Sequence, residues 1–120
     1  MVTEKAASFP LILTGDFNDV PDSEALANFQ VDTQMRSASL EFLGEELDFT
    51  THKWRSEMTT RTIDYVWFAA PPPSTIGVEM NVIGTLSMIG SDKLPETGFP
   101  SVDHPSDHLA LGYEFKISNV

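Results

Sequence analysis

The sequence predicts a single α/β domain in which a mixed β-sheet is flanked by helices. Three observations support this class. The apolar run "PLILT" precedes a helix signal, a later segment is rich in β-branched and aromatic residues, and apolar and polar residues alternate near the end of the chain. With 120 residues and 41% hydrophobic content, the chain can form one core. We therefore assign residues 1–120 to one domain.

The first predicted elements are a strand, a loop and a helix. Residues 10–14 show no polar alternation, which favours a fully buried strand. In the helix that follows, Asp22 is placed to cap the free N–H groups of the first turn. The apolar face of this helix is expected to comprise Ala25, Leu26 and Phe29.

The middle of the chain is predicted to consist mainly of strands. A second helix or turn over residues 35–43, ended by Gly44, comes first. Strands are then expected in the segments rich in β-branched and aromatic residues, of which the first two can pair as a hairpin: 48–55, 59–68 and 75–86. The three prolines at 71–73 predict a rigid connector.

The C-terminal segment is predicted to be a loop followed by a half-buried strand. Residues 90–105 are loop-like, whereas residues 108–117 alternate between apolar and polar. Because successive side chains of a strand point to opposite faces, one set should face the core. These inward-facing side chains are expected to be Leu109, Leu111, Tyr113, Phe115 and Ile117.

Composition and charge exclude several classes of protein. The net charge of −11 argues against a broad nucleic-acid-binding surface, because Lys and Arg must neutralise phosphates there. Positive charge is nevertheless concentrated at Lys53, Arg55 and Arg61. The absence of cysteine excludes a disulfide scaffold and thiolate chemistry. The chain has no apolar run of about 20 residues and no signal-type segment, so we expect a soluble, cytoplasmic protein without a membrane partner.

Polar residues follow the first predicted strand and form the first candidate site. If the chain stays extended, Asp16 and Asn18 share one side while Phe17 points into the core. A carboxylate beside an amide can orient a water molecule and hold a phosphoryl oxygen or a hard cation. The alternative is an Asx turn, in which both side chains only satisfy backbone groups.

A second candidate site combines Asp64 with a histidine. Asp64 lies among bulky apolar residues, so its carboxylate needs a partner such as Arg61, a histidine, a metal ion or backbone donors. Asp64 either forms a structural salt bridge or is the acid that orients a catalytic imidazole. His108 is the histidine we favour, because a carboxylate on one ring nitrogen leaves the other free for catalysis. Pro105 argues against a zinc site shared with His104, which we expect to be a loop residue.

The motifs "GDFN", "TIDYVWF" and "HPSDHLALGYEF", in this order, resemble the C-terminal half of the endonuclease/exonuclease/phosphatase superfamily. These are metal-dependent phosphoesterases with the DNase I-like fold. "PLILTGDFNDVPDSEAL" and "FTTHKWR" look most like the branch that contains nocturnin, the CCR4-type deadenylases, the angel proteins and the 2′-phosphodiesterase. The resemblance spans residues 10–117 and implies half of a four-layer sandwich, with one sheet face normally covered by the other half.

This resemblance implies catalytic roles for four residues. Asp16 would activate or orient the nucleophilic water, and Asn18 would stabilise the attacked phosphate. Asp64 would match the acid that orients the catalytic histidine, which is His108. The implied reaction is hydrolysis of a phosphoester by in-line attack of water.

The resemblance also implies a metal site and a substrate-binding site. Asp107 would sit at the metal, together with Asp16 and Asn18, and the implied cofactor is Mg²⁺, for which Mn²⁺ can substitute. The basic residues Lys53 and Arg55 would face the phosphates of the substrate, and Asn18 would contribute there as well. The guanidinium group of an arginine is suited to this because its planar fork matches a phosphate.

The expected substrates are the 3′ end of poly(A) RNA, a 2′-5′ linked oligonucleotide, or an NADP-like dinucleotide phosphate. Proteins of a deadenylase complex are expected as further partners. In the family, the glutamate that is the principal Mg²⁺ ligand precedes the "GDFN" strand by more than the nine residues present here. The alternative function is therefore an interaction module that has lost hydrolysis.

Overall fold

A computed structural model describes residues 9–70 and 77–119 of the chain, and the proline connector at 71–73 lies outside them. The elements in chain order are β1 (Leu11–Asp16), α1 (Glu24–Thr33), β2 (Arg36–Ser37), α2 (Ala38–Leu43), β3 (Thr51–Trp54), β4 (Met58–Arg61), β5 (Asp64–Ala69), β6 (Val78–Thr85), a 3₁₀ turn (Ser91–Lys93) and β7 (Tyr113–Asn119). The α/β class is confirmed. The described strands form three antiparallel sheets, β1-β5-β2, β3-β4 and β6-β7, in place of the expected mixed sheet.

The first strand is present, but the prediction that it is fully buried was wrong. Among the described strands, β5 is the centre of the first sheet and β1 lies at its edge. Leu11 and Leu13 pack against the core under α1. Ile12 faces the other way and keeps 43% of its surface exposed, because an edge strand with one covered face alternates between buried and open positions.

The N-cap of the first helix lies one residue later than the sequence suggested. Ser23 is the N-cap, since its backbone is extended and its hydroxyl accepts a hydrogen bond from the Leu26 amide at 3.2 Å. The expectation that Asp22 caps the helix was therefore wrong. Leu26 is buried and Phe29 packs against the same core as predicted, whereas Ala25 is exposed and does not belong to the apolar face.

The second helix is shorter than the predicted span of 35–43. Arg36 and Ser37 pair with the central strand β5 as β2, and the Ser37 hydroxyl caps α2 by accepting from the Leu40 amide at 3.3 Å. The predicted end is confirmed. Gly44 adopts φ 79°, a left-handed conformation that favours glycine, and its N–H donates to the Leu40 carbonyl.

The predicted hairpin forms between β3 and β4, with His52 opposite Thr60. Its second strand ends at Arg61, and the separate strand β5 begins at Asp64, although the sequence suggested one strand over 59–68. The break has a visible cause. The buried Thr50 hydroxyl accepts the backbone N–H groups of residues 63 and 64, at 3.0 and 3.1 Å, which are thus not bonded to a neighbouring strand.

The last strand begins at Tyr113 instead of His108. Residues 108 and 109 are held by β3, because the Leu109 N–H donates to the Thr50 carbonyl and His108 forms a bridge with Thr51. The inward alternation is confirmed up to Phe115, but Ile117 is exposed by 54% and its predicted burial was wrong. Residues 90–105 form the expected loop, interrupted by the 3₁₀ turn.

Two hydrophobic clusters lie on the two faces of the central strand β5, and a third, around Phe49, Phe99 and Leu109, lies away from it. On one face, Trp67 packs under α1; on the other, Phe68 packs against α2 and the β6-β7 sheet. Neither helix among the described residues has the length and apolar character needed to cross a membrane.

Glu46 is a partly buried acid between α2 and β3. Its carboxylate accepts a hydrogen bond from the Ser37 hydroxyl at 2.7 Å. Burial raises the pKa of Glu46 above its ordinary value, and the bond from Ser37 offsets this only in part. A raised pKa means that the folded chain holds this proton more tightly than the unfolded chain.

Replacing Glu46 with Gln is therefore expected to raise the free energy of unfolding at pH 7. The stability that protonated Glu46 contributes is fully present below the pKa of the unfolded chain, about 4.3, and is lost as the pH rises through the folded pKa. The advantage of the variant should shrink as the pH falls toward about 4, measured by urea unfolding across pH. The matched control is Glu45→Gln, an exposed neighbour; an equal gain in both variants would contradict the expectation.

Candidate active site

The register of β1 on β5 brings two carboxylates together. Asp16 lies directly opposite Asp64 in this antiparallel pair, and opposed side chains lie on the same face of a sheet. Phe17 points to the other face, as predicted, and its ring packs edge-on against Phe29 and Tyr65 at centroid distances of 5.2 and 5.9 Å. The core side chain that follows Asp16 thus fixes the side on which the carboxylate emerges.

Asp64 meets a histidine, which is one of the partners that the sequence left open for it. The His108 Nδ1 atom lies 2.8 Å from Asp64 Oδ2, a hydrogen bond between partly buried groups. Because the carboxylate accepts, Nδ1 carries the proton, and Nε2 is the ring nitrogen that remains available. The backbone of His108 is held in turn, since its N–H donates to the Ser106 hydroxyl at 3.1 Å.

The available nitrogen of His108 faces two further carboxylates. Its Nε2 atom is 3.9 Å from Asp16 Oδ2 and 4.0 Å from Asp107 Oδ1. Both distances exceed the length of a hydrogen bond, so these carboxylates lie around the Nε2 edge of the imidazole without forming a hydrogen bond to it. A cleft of about 300 Å³ opens beside Asp16 and Asp64, with Leu109 and Leu111 on its wall.

Two basic residues, Lys53 in β3 and Arg55 just after it, lie beside these carboxylates. Lys53 Nζ is 3.6 Å and Arg55 Nη2 is 3.8 Å from the same oxygen, Asp107 Oδ2. The Lys53 side chain is largely covered, whereas the Arg55 side chain is 71% exposed. The structure therefore places both residues next to Asp107, and the Thr51 hydroxyl holds this position by donating to the Asp107 carbonyl at 2.7 Å.

Asn18 is placed differently from the sequence expectation. The chain does not stay extended after Asp16, because Asn18 has a left-handed φ of 53°. Its backbone N–H donates to Asp16 Oδ1 at 2.8 Å, which is the Asx-turn alternative. Within residues 9–70 and 77–119, no hydrogen bond joins the Asn18 amide to Asp64 or His108. The geometric premise that Asp16 and Asn18 share one side of a strand was wrong.

Three of these residues form a group that could hold a cation. Asp16, Asp64 and His108 each offer one ligand atom, and these atoms lie within 4.8 Å of one another. The metal site expected from the sequence differs in part, since it combines Asp16 with Asn18 and Asp107 and assigns Asp64 and His108 to catalysis. Asp16 is common to both sets.

Tyr65 also lines the cleft but is engaged as a structural donor. Burial, with the charges of Glu46 and Asp19, raises the pKa of Tyr65, so its hydroxyl keeps its proton at neutral pH. That hydroxyl lies 2.8 Å from the Asp19 carbonyl and 3.1 Å from the Thr62 carbonyl. Tyr65 thereby ties the loop after β1 to the start of β5, which is where the two aspartates sit.

Three supporting hydroxyl residues were not found from the sequence. Thr50 accepts the Asp64 amide, Thr51 holds the Asp107 carbonyl, and Ser106 holds the His108 amide. Threonine in a strand segment indicates only β-propensity, and the contact across more than 50 positions is what gives Thr51 its role. The "SDH" motif was the one signal that could have drawn attention to Ser106.

The antiparallel pair of β1 and β5 thus holds Asp16 and Asp64 beside His108, and Asp107, Lys53 and Arg55 lie around them. The family described as Endonuclease/Exonuclease/phosphatase matches residues 1–108. The chain belongs to this family.

Within the family, its relatives include nocturnins and Ccr4 proteins. Human nocturnin is 29% identical over 95% of the chain and 26% of its own length, and the Xenopus laevis nocturnin is 28% identical over 95% and 29%. The CCR4-Not complex 3′-5′-exoribonuclease subunit Ccr4 of Yarrowia lipolytica is 29% identical over 93% of the chain and 18% of its own length. The chain thus spans less than a third of the length of each of these relatives.

Proposed function

We propose that this chain contributes the Asp16, Asp64 and His108 part of a Mg²⁺-dependent phosphoesterase site that hydrolyses the 3′ end of RNA. The observation that carries the proposal is the 2.8 Å hydrogen bond between His108 and Asp64. Asp64 lies opposite Asp16 in the strand pair, so the His108 ring is held beside the Asp16 carboxylate. Such an Asp–His–Asp arrangement, in which one acid orients an imidazole beside a second acid, is suited to moving protons in a hydrolytic reaction.

In this proposal Asp64 fixes the tautomer of His108. By accepting a hydrogen bond from the Nδ1–H group, Asp64 turns the Nε2 edge toward Asp16 and Asp107. A proton on Nε2 makes the ring a cation, and Asp64 stabilises that charge. The imidazolium then donates to the phosphoryl oxygens, on which negative charge develops in the transition state.

Asp16 supplies the base for the attacking water. Its carboxylate takes the proton of the water while the water oxygen bonds to phosphorus, and the bond from phosphorus to the leaving oxygen breaks. That leaving oxygen is protonated by solvent. The Asx turn supports this role, because the Asn18 N–H holds Oδ1 of Asp16 and leaves Oδ2 on the side of His108. The Asn18 amide is proposed to contact the phosphate.

The residues present fit a divalent cation. Three carboxylates lie around one imidazole, and like charges this close repel unless cations compensate them. Oxygen ligands of this kind are those that Mg²⁺ prefers, and Mn²⁺ can replace it. Asp16 and Asp107 would hold the ion, with Asn18 as a further oxygen donor. When bound, the ion supplies positive charge that polarises the phosphoryl group.

Lys53 and Arg55 are proposed to bind substrate phosphates. Both contact Asp107 at distances too long for hydrogen bonds, so their N–H groups keep donors available for a phosphate. RNA is the favoured substrate, because one relative is named as a 3′-5′-exoribonuclease subunit. That name also makes the proteins of such a complex candidate partners. NADP serves as the competing substrate in the test.

The test is a Mg²⁺ titration of the chain with two substrates, a poly(A) oligonucleotide labelled at its 5′ end and NADP. We expect Mg²⁺-dependent shortening of the oligonucleotide, and a fall in kcat of roughly 10²-fold or more in Asp16→Asn, because the base is lost. Asp22→Asn is the matched control. Asp22 is an exposed acid close in sequence, outside the site, so its rate should be that of the native chain.

Other outcomes separate the alternatives. Phosphate release from NADP without shortening of the oligonucleotide would assign a nucleotide phosphatase. Hydrolysis of neither substrate, with no Mg²⁺-dependent shift in the NMR signals of Asp16 and Asp64, would overturn the proposal. That result would favour the alternative function, an interaction module that has lost hydrolysis.

A further inference from the structure

The first histidine of "HPSDH", His104, contacts the backbone of His108. His104 Nε2 lies 3.0 Å from the His108 carbonyl oxygen. A carbonyl only accepts, so His104 must carry its proton on Nε2 and donate it. The backbone of His104 is fixed as well, because residues 101 and 104 exchange two N–H to carbonyl bonds of 2.7 and 3.2 Å across a tight turn.

The ring of His104 is oriented by an aromatic neighbour. It lies against Phe99 at a centroid distance of 4.4 Å, and Phe99 is 5% exposed. On its other side Phe99 meets the ring of His52 edge-on at 5.7 Å. His52 itself is fully engaged, with Nδ1 2.7 Å from the Thr60 hydroxyl and Nε2 2.9 Å from the Pro95 carbonyl.

These three rings join the loop that carries His108 to strand β3. The Phe99 N–H donates to the His52 carbonyl at 2.7 Å. Gly98 passes so close to β3 that a Cβ on it would lie 2.9 Å from the Trp54 backbone nitrogen, and its φ of 78° favours glycine. The same strand bears Lys53. The loop that carries His108 and the strand β3, which carries Lys53, are therefore held together.

We propose that His104 is a positioning residue for His108. It acts through the His108 backbone carbonyl and holds the imidazole in the orientation in which Nδ1 bonds Asp64. The proposal rests on the proposed hydrolytic function for its kinetic consequence, but the orientation of His108 can be measured without any activity. Besides the bond to Asp64, the backbone of His108 is held by Ser106 on its amide, by His104 on its carbonyl and by its bridge to Thr51.

The choice of variants separates the donor from the ring. His104→Phe keeps an aromatic ring against Phe99 but leaves the His108 carbonyl without its partner. His104→Gln loses the ring but keeps an N–H donor of similar reach. If the donor is what positions His108, the two variants should differ, and the Gln variant should resemble the native chain.

The first measurement is the tautomer and hydrogen bonding of both histidines by ¹⁵N NMR of the full chain at neutral pH. We expect His104 on the Nε2–H tautomer, and His108 on Nδ1–H with a downfield proton bonded to Asp64. The His108 proton signal should be lost or shifted in His104→Phe and kept in His104→Gln. The native spectrum decides on its own even if the Phe variant does not fold: a His104 proton on Nδ1 overturns the proposal.

The second measurement is kinetic and uses the Mg²⁺-dependent shortening of the poly(A) oligonucleotide. His104→Phe should lower kcat about tenfold or more while KM stays within about twofold, because misplacement of a reacting group by a fraction of an ångström acts on the chemical step. Equal His108 spectra in the native chain and the Phe variant, or equal changes in the Phe and Gln variants, overturn the proposal. A native chain without hydrolysis counts against the proposed function alone, since the NMR result still decides the role of His104.

Discussion

Replacing His108 with Ala is expected to lower kcat for phosphoester hydrolysis by about 10²–10⁴-fold, the range in which a positioned acid or base contributes. The physical reason is the 2.8 Å bond to Asp64, which makes the Nε2 edge the group directed at the other carboxylates. The side chain is partly exposed, so its loss should leave the fold intact. The measurement is kcat and KM of the native and variant chains at saturating Mg²⁺.

A second variant tests whether Asp64 and His108 act as one unit. Asp64→Asn should lower kcat strongly because an amide can present its NH₂ group to Nδ1 and favour the wrong tautomer. The double variant should then be little worse than His108→Ala alone, since residues that act together are not additive. Asp103→Ala, an exposed change in the neighbouring loop, is the control. A His108→Ala chain with at least a tenth of the native kcat would contradict the role given to this imidazole.

Replacing Phe68 with Ala is expected to destabilise the fold by about 3–5 kcal/mol, the usual cost of deleting a buried aromatic ring. Phe68 is fully buried on the central strand. Its ring contacts Phe115 of β7 at 5.4 Å, and the guanidinium of Arg36 lies 4.6 Å above it. It therefore joins β5 to both β2 and the β6-β7 sheet. Urea unfolding monitored by circular dichroism measures the change.

Phe42→Ala supplies the matched control for this change. Phe42 lies on α2 and keeps 41% of its surface exposed, so the same deletion there should cost clearly less. Similar unfolding midpoints for the two variants would show that Phe68 does not join the sheets in this way. A lower slope against urea in Phe68→Ala would instead indicate that the β6-β7 sheet has already separated in the native state.

Two acids of the candidate site stand out in the sequence, because Asp16 follows an apolar run and Asp64 lies within one. The catalytic roles given to them stay predictions. Asp64 is an acid inside a strand, so the need for a partner was visible in the sequence. The structure supplies His108 as that partner. Gly44 was equally predictable, because its left-handed conformation has a residue preference of its own.

The errors arose where distant parts of the chain compete with local preference. Nothing local distinguishes Asp22 from Ser23 as a cap, and the backbone angles decide. The predicted strand over 59–68 breaks because Thr50, just before β3, takes the two amides at the break. Asn18 leaves the extended conformation because its backbone N–H donates to the Asp16 carboxylate. Each of these depends on a contact or a dihedral angle that periodicity does not encode.

The pairing of β1 with β5 also limits how the length of the chain can vary. Asp16 lies opposite Asp64 because the residues of β1 from Leu11 onward pair with those of β5 in continuous register. Inserting or deleting one residue inside β1 would turn Asp16 to the opposite face and bring Phe17 out of the core. The number of residues in β1 is therefore fixed by the site at the end of this strand.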